Sequence, residues 1–128
     1  MVSILNDSTD AYFNLAAEEY LLRSFGQDVF MLWQNEPSVV IGKHQNVWAE
    51  INPAFIQERD IKVVRRFSGG GAVYHDLGNL NFTFIESSRN ADFDKYTSLM
   101  IDLLAEAGVP AEADSRRGLT VQGLKISG

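Results

Sequence analysis

Cysteine is absent from the 128-residue chain, so it holds no disulfide framework, thiolate metal site or thiol nucleophile, and its composition suits a reducing compartment. Histidine is scarce too, and His44 with His75 falls short of an all-histidine or zinc-type site. Basic residues are outnumbered eleven to seventeen, and the net charge of -6 argues against a nucleic-acid binder, whose affinity comes mostly from clustered Lys and Arg releasing counterions. No run of about eighteen apolar residues occurs, and the start Met-Val-Ser-Ile-Leu-Asn-Asp lacks a basic n-region. A soluble, cytoplasmic protein without a membrane partner is therefore the default. Repeats, low-complexity runs and Pro/Gly/Ser linkers are also missing, and 45% hydrophobic content suits one globular domain over residues 1–128.

What is present is concentrated. Val64-Arg65-Arg66-Phe67-Ser68-Gly69-Gly70-Gly71-Ala72-Val73-Tyr74-His75-Asp76-Leu77-Gly78-Asn79 sets two arginines, a bare three-glycine loop, a histidine and an asparagine side by side. Glycines expose their main chain and tolerate positive φ, so successive N–H groups are able to turn toward one anion, with Arg65 and Arg66 supplying permanent charge. A P-loop is excluded because no Gly-Lys-Ser/Thr follows, and the third glycine of a G-x-G-x-x-G pattern would fall at Tyr74. The plain alternative is a tight turn or bulge whose glycines only relieve backbone strain. Three in a row, entered from Arg-Arg and left toward His-Asp-x-Gly-Asn, favour ligand binding. The second doublet, Arg116-Arg117, stands close to Lys125. If these segments converge, a small polyanion such as a nucleoside triphosphate suits them better than a duplex.

The hydrophobic periods predict an α+β (mixed α/β) layout: a mixed, largely antiparallel sheet with helices packed on it. Asp10 caps a predicted helix near Ala11–Phe25 that Gly26 stops, and Asn52-Pro53 opens a short one through Glu58. Asp92 or Asp94 starts the clearest helix, carrying Tyr96, Leu99, Met100, Leu103, Leu104 and Ala107 before Gly108 and Pro110. Strands are predicted at Phe30–Trp33, Ser38–Gly42 and Ile61–Phe67. Ala72–His75 and Leu80–Glu86 read as a hairpin about Asp76–Asn79, with Leu80, Phe82 and Phe84 alternating against Asn81 and Thr83. Leu119–Val121 and Leu124–Ser127 follow about Gln122-Gly123, and a final strand without a partner is an exposed edge.

Each candidate has a bland account beside the chemical one. A lone histidine such as His75 is ordinarily satisfied by a backbone carbonyl, and Asn79 serves a turn as readily as a ligand. Trp33 to Asn46 ends an apolar strand in Gly42 and three polar side chains, which also describes an edge strand entering a loop.

Together these segments resemble the lipoate-protein ligase A family, over nearly the whole chain. Asn14-Leu15-Ala16-Ala17-Glu18-Glu19-Tyr20-Leu21, Trp33 to Asn46, Arg65 to Asn79 and Lys125-Ile126-Ser127-Gly128 match its successive motifs in order. The resemblance implies a biotin/lipoate protein ligase catalytic domain that activates lipoate with Mg-ATP to lipoyl-AMP, then passes the lipoyl group to a lysine of an acceptor domain. Arg66, Ser68, Gly69, Gly70, Gly71, His75 and Asn79 would line the lipoyl-adenylate site. Lys125 would be catalytic, holding the acyl carbonyl and the α-phosphate. The family usually shows Arg-Asn-Asp where this chain has Arg116-Arg117-Gly118, so the resemblance assigns no metal ligand. Family members continue past the Lys-Ile-Ser-Gly motif, which implies a chain that is the N-terminal part of such a domain, or one that a second chain completes.

The residue types suit that chemistry. Negative charge building on the α-phosphoryl oxygens is stabilised by fixed N–H groups, Lys125 and Mg²⁺, and an apolar acyl tail needs a slot, for which Val73, Leu15 and Phe67 are expected walls. Two alternatives stay open: an octanoyl or lipoyl acyltransferase, which needs a cysteine beyond residue 128, and a non-catalytic lipoate- or nucleotide-binding subunit.

Overall fold

Local signals place most elements where the chain's own chemistry puts them. The computed structural model describes residues 1–87 and 92–127, and contacts gather into two units, Met1–Ser87 and Ser88–Gly128. In the first unit, β1 (Val2–Leu5) leads to α1 (Ala11–Tyr20), whose N-cap Asp10 accepts from Tyr12 N at 3.0 Å. The helix continues through a π-helical turn at Leu21–Phe25 and stops at Gly26, φ 69°. Then come β2 (Val29–Trp33), β3 (Ser38–Ile41), α2 (Val47–Glu50), α3 (Pro53–Glu58), β4 (Lys62–Arg65), β5 (Val73–His75) and β6 (Asn81–Ile85). The turn α2, capped by Asn46, has no counterpart among the sequence-predicted elements. Asn52 caps α3 with Pro53 in its first turn, as expected.

These strands form two three-stranded sheets. β2 is central to one, parallel to β1 and antiparallel to β6; β3 is central to the other, parallel to β4 and antiparallel to β5. The predicted hairpin is thereby corrected. Its turn exists, with Asp76 Oδ1 accepting from Gly78 N at 2.8 Å and Asn79 Oδ1 accepting from Asp76 N at 3.0 Å, but its two arms join different sheets. The predicted alternation on β6 is inverted as well. Thr83 and Ile85 are buried while Leu80 is half exposed, and Phe82 and Phe84 pack beside Phe30. Thr83 goes inside because its hydroxyl is satisfied twice, donating to Glu18 Oε1 at 2.6 Å and accepting from Trp33 Nε1 at 3.0 Å. Leu15, Leu21, Val29, Met31, Trp33, Val40 and Ile85 form the core of this unit.

In the second unit, α4 (Phe93–Glu106) is capped by Asp92, and β7 (Glu112–Ala113), β8 (Leu119–Val121) and β9 (Leu124–Ser127) make an antiparallel sheet with β8 central. The turn between β8 and β9 has positive φ at both Gln122 (51°) and Gly123 (77°), the geometry whose twist suits a two-residue hairpin. Mixed pairing with four helices among the described residues is the expected α+β class, divided among three sheets.

Candidate functional site

The glycine loop owes its position to sheet order. β4 and β5 lie on either side of β3, so the chain from Arg66 to Ala72 crosses the C-terminal end of β3, where Gly42 follows Ile41. The crossing is close. A Cβ on Gly42 would lie 2.0 Å from Gly70 O, and Lys43 N donates to Ser68 O at 2.9 Å. Gly70 has φ 96°, which an L side chain rarely adopts.

The arginine doublet braces this crossing. Arg66 Nη2 donates to Gly69 O at 2.8 Å and Gly71 O at 2.7 Å, its Nε to Gly69 O at 3.1 Å, and its Nη1 to Val40 O at 3.3 Å. Arg65 Nη1 donates to the carbonyls of Gly42, Lys43 and Gln45. Both guanidiniums therefore hold carbonyl oxygens, and a planar, multi-donor group is what such a clasp requires. With the loop's carbonyls drawn to Arg66, the amides of Gly69, Gly70 and Gly71 make no hydrogen bond among the described residues, and all three residues are exposed. Open donors beside two fixed cations make an anion site in form.

His75, at the end of β5, is half-buried, with Trp33 edge-on at 6.3 Å between ring centroids. Asn35 Nδ2 lies 3.1 Å from its Nδ1. Burial pushes the imidazole below its ordinary pKa and Arg66 adds to this, with Asp76 opposing. Ser38 faces His75 across the ladder, buried, and its hydroxyl has no partner among the described residues. Asn79 shapes the turn through Asp76 and is exposed. Ser68 and Phe67 line a cleft of about 160 Å³ with Leu22, Glu18 and Phe84. The Phe67 ring lies under the Arg23 guanidinium at 4.5 Å and the Lys43 ammonium at 4.9 Å. Of the expected apolar walls only Phe67 is in this cleft. Leu15 is a core residue, 7% exposed, and Val73 stands exposed on β5.

Lys125 belongs to the second unit, exposed on β9 opposite Thr120, and Gly128 of its motif lies outside the described residues. Asp114 organises the turn ahead of it. Its Oδ1 accepts from Gly118 N at 2.8 Å and Arg116 N at 2.7 Å, and these bonds, with help from Lys125 and Arg116, hold the carboxyl below its ordinary pKa. Packing explains the glycine of the Arg116-Arg117-Gly118 departure, and nothing in the structure explains the arginine at 117. A Cβ on Gly118 would meet Asp114 Oδ2 at 2.6 Å and Ser127 O at 2.8 Å, and Arg117 takes φ 64°. No group of three or more His, Asp or Glu side chains able to hold a metal occurs among the described residues.

Sequence reasoning missed three contributors. Asn14 and Asn35 are fully buried and hydrogen-bonded to each other, and Gly42 is the floor under the loop. All three stand within the matched motifs, but only Gly42, a glycine ending an apolar strand, stood out by its own chemistry.

Comparison with known proteins agrees with this architecture. Residues 10–128 match the family described as the lipoyl protein ligase A/B catalytic domain. Lipoate-protein ligase LplJ of Bacillus subtilis is 47% identical over 124 residues, and lipoate–protein ligase 1 of Staphylococcus aureus is 44% identical over 128. These alignments take in 93% and 96% of this chain but 38% and 39% of those relatives. Among solved structures, lipoate-protein ligase A bound with ATP superposes with TM-score 0.88 at 27% identity, over 98% of this chain and 58% of that one. P. falciparum LipL1 in complex with lipoate gives 0.83 at 33%, over 97% and 41%. The bipartite lipoate protein ligase of Thermoplasma acidophilum, studied with its E2 lipoyl domain, gives 0.83 at 27%, over 98% and 52%. The chain spans well under half the length of the curated relatives it matches, and it belongs to the lipoyl protein ligase A/B catalytic domain family.

Proposed function

We propose that this chain is the N-terminal part of a catalytic domain that activates lipoate with ATP to lipoyl-AMP and transfers the lipoyl group to a lysine of an acceptor domain. The observation that carries the reading is the glycine loop, whose carbonyls Arg66 clasps and whose three amides remain open, with the same Arg66 acting on His75 through its charge. Such donors suit the charge that builds when a carboxylate attacks an α-phosphorus, and losing one preorganised donor typically costs on the order of a hundredfold in rate. Ser68 and Phe67, which line a cleft with Leu22, Phe84 and Ile85 on its apolar side and Glu18 and Glu19 on its polar side, suit the start of the acyl chain. Asn79 acts through the turn it closes. Lys125 supplies the ammonium for the acyl carbonyl and α-phosphate, and in the transfer step stabilises the oxyanion without acting as a base.

Mg²⁺ would be carried by the nucleotide, since it takes most of its oxygens from phosphates and water and needs only one or two from protein. ATP and lipoate as ligands, and a lipoyl domain as partner, are supported by what the solved relatives bind or act with. On this reading the reaction takes place in the cytoplasm, in line with a cysteine-free composition. No helix among the described residues is long and apolar enough to cross a membrane.

The test is lipoate-dependent pyrophosphate exchange with ATP and Mg²⁺ on the full-length protein; exchange is expected, and its absence refutes the ligase. Lys125→Ala separates enzyme from binder. Severe loss of turnover is expected, whereas intact ligand affinity with no turnover to lose in the parent marks a non-catalytic subunit.

A further inference from the structure

Three asparagines connect the first helix to His75. Asn14, on α1, holds its Nδ2 2.9 Å from Ser8 O, 2.8 Å from Gln34 O and 2.9 Å from Asn35 Oδ1, its two protons shared among the three acceptors, while its Oδ1 accepts from Asn6 Nδ2 at 2.8 Å. The two backbone carbonyls decide the orientation. A carbonyl is only an acceptor, so Asn14 must face Ser8 and Gln34 with its NH₂. Asn35 must in turn offer that NH₂ its oxygen, because the opposite arrangement sets two buried donors against each other. The NH₂ of Asn35 is left facing His75 Nδ1 at 3.1 Å, and that nitrogen has to be the acceptor. Both Asn14 and Asn35 are completely buried, so water offers neither an alternative.

We propose that the Asn6–Asn14–Asn35 relay holds the His75 imidazole as its Nε2–H tautomer, which makes His75 a fixed neutral hydrogen-bond donor to an anionic ligand oxygen and Asn35 a positioning residue. The ligand part rests on the ligase reading above. The tautomer does not. Nε2 has no hydrogen-bond partner among the described residues, so its proton is available. Protonating Nδ1 would put an N–H against the Asn35 NH₂, which disfavours the imidazolium in addition to burial and the nearby Arg66. Asp76 is the one facing group that favours it. A neutral donor keeps the same hydrogen-bonding role across the neutral range, where an ordinary histidine changes charge.

Asn35→Asp reverses the device without changing its shape. One carboxylate oxygen still accepts from Asn14, while the other now accepts a hydrogen bond from Nδ1–H. The experiment is ring ¹⁵N NMR of the intact, ligand-free protein, with His44→Asn identifying which of the two histidines is His75. Expected in the wild type are a bare Nδ1 and a protonated Nε2 at neutral pH, with titration below the ordinary histidine range. In N35D, Nδ1 becomes protonated and the titration moves upward. A wild-type Nδ1–H tautomer, or an N35D spectrum unchanged from wild type, overturns the proposal. In the exchange assay, N35D should gain a pH limb where His75 titrates, and a profile identical to wild type overturns the donor role. Absent exchange in wild type with the expected spectra refutes the ligase and keeps the tautomer.

Discussion

Adding one methyl group at Gly42 should disable the site from below. In Gly42→Ala the new Cβ would be 2.0 Å from Gly70 O and 2.9 Å from Gly70 C, both backbone atoms, with Gln45 Oε1 at 3.2 Å. Ordinary contact begins near 3.4 Å, so the loop carbonyl must retreat by on the order of 1.4 Å, a van der Waals overlap too deep to absorb in place. The neighbouring backbone cannot yield freely. Ile41 is buried in β3 between two paired strands, and Arg66 ties Gly69 and Gly71 to Val40. Overpacking of this kind costs roughly 1–3 kcal/mol of stability. The functional loss should be larger, because displacing catalytic donors by about 1 Å costs around a hundredfold in rate. Urea unfolding and lipoate-dependent pyrophosphate exchange measure the two separately. Gly71→Ala is the counterpart, since its Cβ enters open space. Stability within about 0.5 kcal/mol of wild type is expected, with loss of exchange because the proposed anion site occupies that space. If G42A retains full exchange, the reasoning about the floor under the loop fails.

Thr83→Val should cost about 1–3 kcal/mol, because it strips partners from both Trp33 Nε1 and Glu18 Oε1 inside the first unit; unfolding by urea checks this, and a neutral effect refutes the buried-network account. His75 sets a pH dependence whose sign follows from its lowered pKa. Between the ordinary value near 6.5 and the depressed folded value, the unfolded chain binds the proton and the folded chain does not, so stability falls as pH drops through that window. His75→Gln should lose this sensitivity in denaturant titrations between neutral and mildly acidic pH.

Local chemistry was legible directly. Side-chain oxygens at Asp10, Asn52 and Asp92 cap the helices, Gly26 ends one in the left-handed region, and Gln122-Gly123 turns a hairpin; each depends only on residues a few positions apart. The order of motifs carried the family for the same reason, being a property of the linear chain. Strand partnership was not legible. A turn at Asp76–Asn79 permits a hairpin without requiring one, and only the competition of β3 and β2 for the two arms sent them to separate sheets. Periodicity likewise put the phenylalanines of β6 inward, since it cannot know that Glu18 and Trp33 await the Thr83 hydroxyl. Tertiary structure also turned Arg66 from a free charge into a clasp, and joined Asn14 to Asn35 and His75. Burial and partner choice are decided by residues far apart in the chain, and a lone sequence does not say which of them meet.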